Sequence, residues 1–181
     1  MDSKFSVVPT IRDHYDTLVD QNTDKWYWPD YVILLGMPMF IGTAVGGLLH
    51  FHNTGLRDMQ SFIGGVAIFT ALLFGMVIHV FQLRMQLLTN PAVARDGDLA
   101  GFVDQLFANV NYAVVVGIIA TAVSMAAAVT RDDAGRVNPV WSGVVIALGV
   151  HLLLVVFMCV KRIRAAYREI KLLPRPATAS L

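Results

Sequence analysis

Residues 112–160 read YAVVVGIIATAVSMAAAVT, then RDDAGRVNP, then VWSGVVIALGVHLLLVVFMCV. Two apolar runs without an Asp, Glu, Lys or Arg flank a short loop holding Arg131, Asp132, Asp133 and Arg136. A helix rises 1.5 Å per residue, so about 20 apolar residues cross a hydrocarbon core about 30 Å thick. Each run has that length, and the pair reads as a transmembrane hairpin. Working toward the N-terminus, Ser61 to about Leu83 and Tyr31 to about His50 repeat the pattern, again without a formal charge. The expected fold is therefore all-α: a polytopic membrane protein with a four-transmembrane-helix bundle, spans near 31–50, 61–83, 112–130 and 140–160, and helical cytoplasmic extensions.

Composition agrees. Of 181 residues, 56% are hydrophobic and 15% charged, against roughly 45–50% and about 25% in soluble domains. Mean hydropathy is +0.60. The net charge of +1 supplies no basic field, so nucleic acid is not an expected partner. The lipid bilayer is. The lone cysteine, Cys159, excludes an internal disulfide and a CxxC pair. The first 30 residues are polar and contain Asp2, Asp13, Asp16, Asp20, Asp24 and Asp30. They lack the basic stub and short apolar run of a cleavable signal, so the first span is the expected targeting element.

Basic residues set the orientation. Lys4, Arg12 and Lys25, then Arg84 and Arg95, then Lys161, Arg162, Arg164, Arg168, Lys171 and Arg175 all fall on one side, against Arg57, Arg131 and Arg136 on the other. The positive-inside rule puts the termini and the 84–111 loop in the cytoplasm, in a bacterial inner membrane. Segment 1–30 then holds a cytoplasmic amphipathic helix, with Ile11, Tyr15, Leu18 and Val19 inward and an acidic outer face, followed by the aromatic interface stretch WYWPDY at 26–31. Asp98 is an N-cap candidate for a helix carrying Leu99, Phe102, Val103, Leu106, Phe107 and Val110 at helical spacing into span three. Segment 161–181 reads as a basic helical extension ending before Pro174 and Pro176, with a short disordered tail.

Small residues recur at four-residue spacing: Gly42 and Gly46; Ala67, Ala71 and Gly75; Ala120, Ser124 and Ala128; Gly143 and Ala147. Such ridges admit close helix approach in lipid. They serve internal packing or a homo-oligomer interface, and the pattern does not choose between them. His79 and His151 are intramembrane ionisable residues and hence candidates for a polar site. A haem between two histidines, as in a membrane cytochrome, needs ligands at equal depth. His79 and His151 differ by roughly 10 Å along the membrane normal, so no cofactor and no metal is expected.

A third set gathers at the cytoplasmic side. Asp104 and Gln105 precede Asn109, Asn111 and Tyr112 at the entrance to span three, and Arg84, Arg162, Arg164 and Arg168 add charge. This is a candidate docking or vestibule surface for a cytoplasmic protein. ARDGD at 94–98 lacks the downstream acidic residues of lipid-head phosphotransferases, and no GxSxG, HExxH or phosphate-binding glycine loop occurs. No enzyme activity is expected.

The charged N-terminal helix, the WPDY approach with Pro38 early in span one, and NVNY at 109–112 give the chain a layout. In that layout it resembles the small four-span membrane proteins of bacterial antiviral loci. The resemblance implies a membrane-embedded sensor, scaffold or accessory subunit that docks a cytoplasmic partner. It also admits a homo-oligomeric pore-forming or membrane-disrupting effector. Thr43, Thr70, Thr121, Ser124 and Ser142 are the few hydroxyls in the spans, which is little with which to line a hydrated pore.

Overall fold

The computed structural model describes residues 6–17, 19–20, 25–26, 31–89 and 97–172. Helix α1 covers Val8–Asp16, α2 Met37–Phe51, α3 Met59–Thr89, α4 Gly97–Val129 and α5 Pro139–Leu172. A π-helical turn, Val32–Gly36, runs directly into α2. One two-residue antiparallel pairing joins Val19 to Trp26 and Asp20 to Lys25. Four helices are long and apolar enough to cross a membrane: Val32–Phe51, Met59–Thr89, Leu99–Val129 and Pro139–Arg164. The protein is an all-α, multi-pass membrane bundle.

Several boundaries differ from the sequence reading. Helix α1 begins at Val8 and ends at Asp16, so Val19 lies in the strand pairing and Leu18 outside the described residues. Helix α4 starts at Gly97, which puts Asp98 in its first turn rather than at its cap. Most of the aromatic stretch (27–30), part of ARDGD (94–96) and the tail (173–181) also lie outside the described residues.

Helices α3, α4 and α5 have 31, 33 and 34 residues, or about 46 to 51 Å at 1.5 Å each. That exceeds the hydrocarbon core by about 15 to 20 Å. The excess lies at the end bearing both termini, because at the opposite end the loops 52–58 and 130–138 close directly on the apolar sequence.

The principal pairings are α3 with α4, α2 with α5, and α4 with α5. Helix α4 is the centre: 44% of its most apolar window is buried, against 6% for α3. Small residues make these pairings close. A Cβ on Gly42 would lie 2.6 Å from the Gly143 carbonyl oxygen and 2.7 Å from Ala147 Cβ, and one on Gly117 would strike the Thr70 side chain. Outward, Ile68, Leu72, Phe74, Ile78 and Phe81 of α3 are all exposed. A continuous apolar face of this kind is stable against lipid, not water.

The loops opposite the termini are pinned. Helix α2 ends in a left-handed Asn53 (φ 48°), and the Thr54 N–H donates to the Leu49 carbonyl at 2.9 Å. A Cβ at Gly55 would collide with the Val137 carbonyl, and the Val137 N–H donates to the Leu56 carbonyl at 2.9 Å. Asn138 caps α5, its Oδ1 accepting the Val140 N–H at 2.9 Å, with Pro139 opening the helix.

Candidate functional site

The site starts from a proline. In a regular helix the N–H of residue 38 would bond the carbonyl of residue 34, but Pro38 has no N–H. The Leu34 carbonyl therefore lacks its regular i+4 donor, inside the π-helical turn that accommodates the ring. A carbonyl left without a donor in a bilayer costs several kcal/mol, which favours a side chain that can donate to it. His151 of α5 does: its Nδ1 lies 3.0 Å from Leu34 O. A carbonyl only accepts, so Nδ1 carries the proton and Nε2 is left as an acceptor. The Tyr112 hydroxyl of α4 donates to that Nε2 at 2.9 Å. Both ring nitrogens of His151 are thereby engaged.

Tyr112 carries the network out of the membrane. His14 of α1 stacks on its ring, centroids 3.9 Å apart and planes 9° from parallel. Tyr15 meets Tyr112 edge-on and stacks on Tyr31, whose hydroxyl donates to the Tyr15 carbonyl at 3.1 Å. His14 Nδ1 donates to Asn109 Oδ1 at 2.7 Å, and Asn109 Nδ2 donates to the Gln105 carbonyl at 2.8 Å, which fixes the amide's orientation. The Thr17 hydroxyl, 2.6 Å from the His14 carbonyl oxygen, also lies within reach of Asn109 Oδ1. Arg162 of α5 completes the clamp, donating to Gln105 Oε1 at 2.7 Å and to the Thr17 carbonyl.

His14 is fully buried, and its Nε2 has no hydrogen-bond partner among the described residues. Burial pushes its imidazole down to about 4; the hydrogen bond to Asn109 opposes that shift and the Arg162 guanidinium adds to it. At neutral pH the ring is uncharged, and α1 is held by a neutral imidazole. Beside the clamp, Arg84 Nε and Nη2 donate to Asp104 Oδ1 and Oδ2 at 2.7 and 3.0 Å, tying α3 to α4. Being partly exposed, that pair contributes about 1 kcal/mol or less. A groove of about 390 Å³ between α1 and α4 is lined by Asp13, Asp16, Asp104 and Asn111 among others.

The sequence candidates thus divide. Gln105, Asn109, Tyr112, His151 and Arg162 meet in one network. Arg84 and Asp104 pair beside it, and Asn111 lines the groove. Arg164 is exposed, and the side chain of Arg168 lies outside the described residues. His79 is exposed on the outer face of α3 and does not meet His151. Gly42, Gly46, Gly143 and Ala147 form the α2–α5 contact, and Ala120 and Ser124 are buried in α4. Ala67, Ala71 and Gly75 face outward, and a Cβ on Gly75 would meet nothing within 4 Å. The five span hydroxyls all return to nearby backbone: Thr43, Thr70, Thr121, Ser124 and Ser142 donate to the carbonyl four residues back.

Three members were missed from the sequence: His14, Thr17 and the Leu34 carbonyl. Two had a signal. His14 sits three residues after Ile11 and one before Tyr15, on the apolar stripe of α1. Pro38 inside an apolar span announces an orphaned carbonyl four residues earlier. Among the described residues, no group of three or more His, Cys, Asp and Glu side chains is placed to hold a metal ion. No family model matches the chain, and no curated protein and no solved structure shows significant similarity to it.

Proposed function

We propose that the protein is a membrane-embedded sensor or scaffold that docks a cytoplasmic partner on the terminus-bearing end of the bundle. The observation that carries this reading is the contrast among consecutive residues of α5. Arg162 turns inward to bind Gln105 and Thr17, while Lys161, Ile163, Arg164 and Tyr167 are exposed. An exposed Arg, Tyr and Ile surface past the apolar span has the composition of a protein-docking patch. A partner seated there would pull on the helix whose neighbouring Arg162 holds α1, so docking and α1 position are coupled. The basic asymmetry supports cytoplasmic termini. The layout shared with four-span proteins of antiviral loci makes bacterial defence at the inner membrane the setting we assign.

The test is charge reversal at Lys161 and Arg164, with Arg162 left intact. Loss of the co-purified partner from mildly solubilised native membranes, with α1 still protected from protease, is the expected result. Undiminished recovery of the partner would sink the reading.

A second reading, a homo-oligomeric effector, is favoured by α3. Ala67, Ala71 and Gly75 continue at the same spacing to His79, and all four are exposed. A polar ring on a lipid-facing small-residue ridge is costly for an isolated chain and is relieved by a second helix. Native mass spectrometry separates the two readings. A closed assembly of several identical chains, dispersed by Gly75→Leu, supports the effector. A single chain carrying another polypeptide supports the scaffold.

A further inference from the structure

Two cavities at the end of the bundle opposite the termini meet. The first is a groove of about 400 Å³ between α2 and α5, walled by Gly42, Gly46, Gly47 and Gly143 and almost wholly apolar. It opens laterally past Met39, Thr43, Val140 and Val144, all exposed. The second, of about 470 Å³, lies among the loop residues Asn53, Thr54, Asp132, Arg136 and Asn138. His50 and Pro139 line both, so the apolar groove ends where the polar cavity begins. The boundary falls at the end of the apolar spans, where a bilayer passes from acyl chains to headgroups.

The polar cavity has a definite charge pattern. One guanidinium and one carboxylate line it, so its formal charge is balanced. Arg136 Nε donates to Asp132 Oδ2 at 2.9 Å and Nη1 to the Asn53 carbonyl at 3.3 Å, while Nη2 has no partner among the described residues. The Asn138 Oδ1 is used in the cap, leaving its amide N–H groups as donors. The first turn of α5 adds its positive dipole end. Arg136 Nη2 and the Asn138 amide are donors for a phosphate. Each Asp132 oxygen, already accepting one Arg136 N–H (Oδ1 from the backbone at 2.7 Å), keeps a lone pair for an ammonium. Together they match a phosphodiester carrying an ammonium.

We propose that this joined cavity is a binding site for a single zwitterionic phospholipid, one acyl chain in the glycine-walled groove and the headgroup lying over the Arg136–Asp132 ion pair. The glycines are what give the chain its room. At Gly42, Gly46 and Gly143 a side chain would strike the neighbouring helix, whereas a Cβ on Gly47 meets nothing within 4 Å. Gly47→Leu therefore fills the groove without disturbing the helix contact. Gly65, equally open, lines a comparable apolar groove between α3 and α5 that has no charged side chain in its lining, and it serves as the control.

The experiment places the full chain in nanodiscs of equal phosphatidylethanolamine and phosphatidylglycerol and counts retained lipids by native mass spectrometry. The wild type is expected to hold one phosphatidylethanolamine per chain, about tenfold over the anionic lipid, the scale of one hydrogen bond to a charged group. Gly47→Leu should lower retention roughly tenfold, as overpacking of a filled space does, while Gly65→Leu leaves it unchanged. Asp132→Asn should erase the headgroup preference even if Gly47→Leu fails to fold. Equal retention of both lipids by the wild type, or equal loss in Gly47→Leu and Gly65→Leu, would overturn the site and mark the lipid as a non-specific annulus.

Discussion

Helices α2 and α3 carry the same kind of ridge and use it in opposite ways. Gly42 and Gly46 of α2 lie against Gly143 and Pro139 of α5. Ala67, Ala71 and Gly75 of α3 look outward, and α3 holds on to α4 by another face, through Thr70 at Gly117. The difference teaches what a small-residue ridge encodes. It records that a backbone can be approached closely, and it is silent on whether the approaching surface belongs to this chain, another chain or lipid. In water, exposure would betray the unpartnered face. In a bilayer both faces are apolar and both are tolerated.

Breaking the packed ridge should have the largest effect. Gly42→Leu forces four carbons into a space already closed by Gly143 and Ala147, and is expected to cost more than about 3 kcal/mol. The thermal midpoint of the purified protein in detergent is the measurement, and an unshifted midpoint would show that α2 and α5 are not held together there.

The next test asks whether shape or charge state does the holding. A glycine contact has no titrating group, whereas α1 is held by an unprotonated imidazole. Undocked, His14 titrates at its ordinary 6.5; docked, at about 4. Between those values the undocked helix binds more protons, so docking is fully stable above pH 6.5 and weakens as the pH falls toward 4. The span corresponds to on the order of 3 kcal/mol. Hydrogen-exchange protection across residues 8–16, taken relative to the intrinsic exchange rate at each pH, should fall on acidification in the wild type and lose that dependence in His14→Phe, while protection of the α2–α5 contact stays constant. Protection across 8–16 that is unchanged between about pH 7 and 4 in the wild type would remove His14 from the clamp.

The smallest effect is expected at the open ridge. Gly75→Leu should change monomer stability by less than about 0.5 kcal/mol, as exposed substitutions do. A drop comparable to that of Gly42→Leu would mean that α3 is buried against something in the assembled protein.

Much of the fold was legible because it rests on local pattern. Uncharged runs, the polar loops between them and the apolar spacing through Leu99, Val103 and Leu106 predicted four spans and a long α4. His151 was picked out as an intramembrane ionisable residue, and Gln105, Asn109, Tyr112 and Arg162 as a polar and charged set at the entrance to span three. Their arrangement was not legible, because it is made by contacts between residues far apart in the chain. Asn109 meets a histidine 95 residues earlier, and Arg162 reaches back 145 residues to Thr17. The same depth argument that separated His79 from His151 left His14 aside, since it considered only histidines within spans. The inward and outward ridges were indistinguishable for the reason already given: lipid and protein interior present the same chemistry to a small residue.

The Pro38 gap also bears on biogenesis. A chain delivered to the bilayer from its N-terminus releases its first span with the Leu34 carbonyl short of its regular i+4 donor, and the imidazole that donates to it is 117 residues further on. Until that last span arrives, the first is incompletely solvated by lipid and has reason to stay at the insertion machinery or bound to a chaperone. The proline thus makes completion of the hairpin at 112–160 a condition for the first helix to settle. A truncated chain lacking the fourth span should be a poor membrane resident and an early target for quality control.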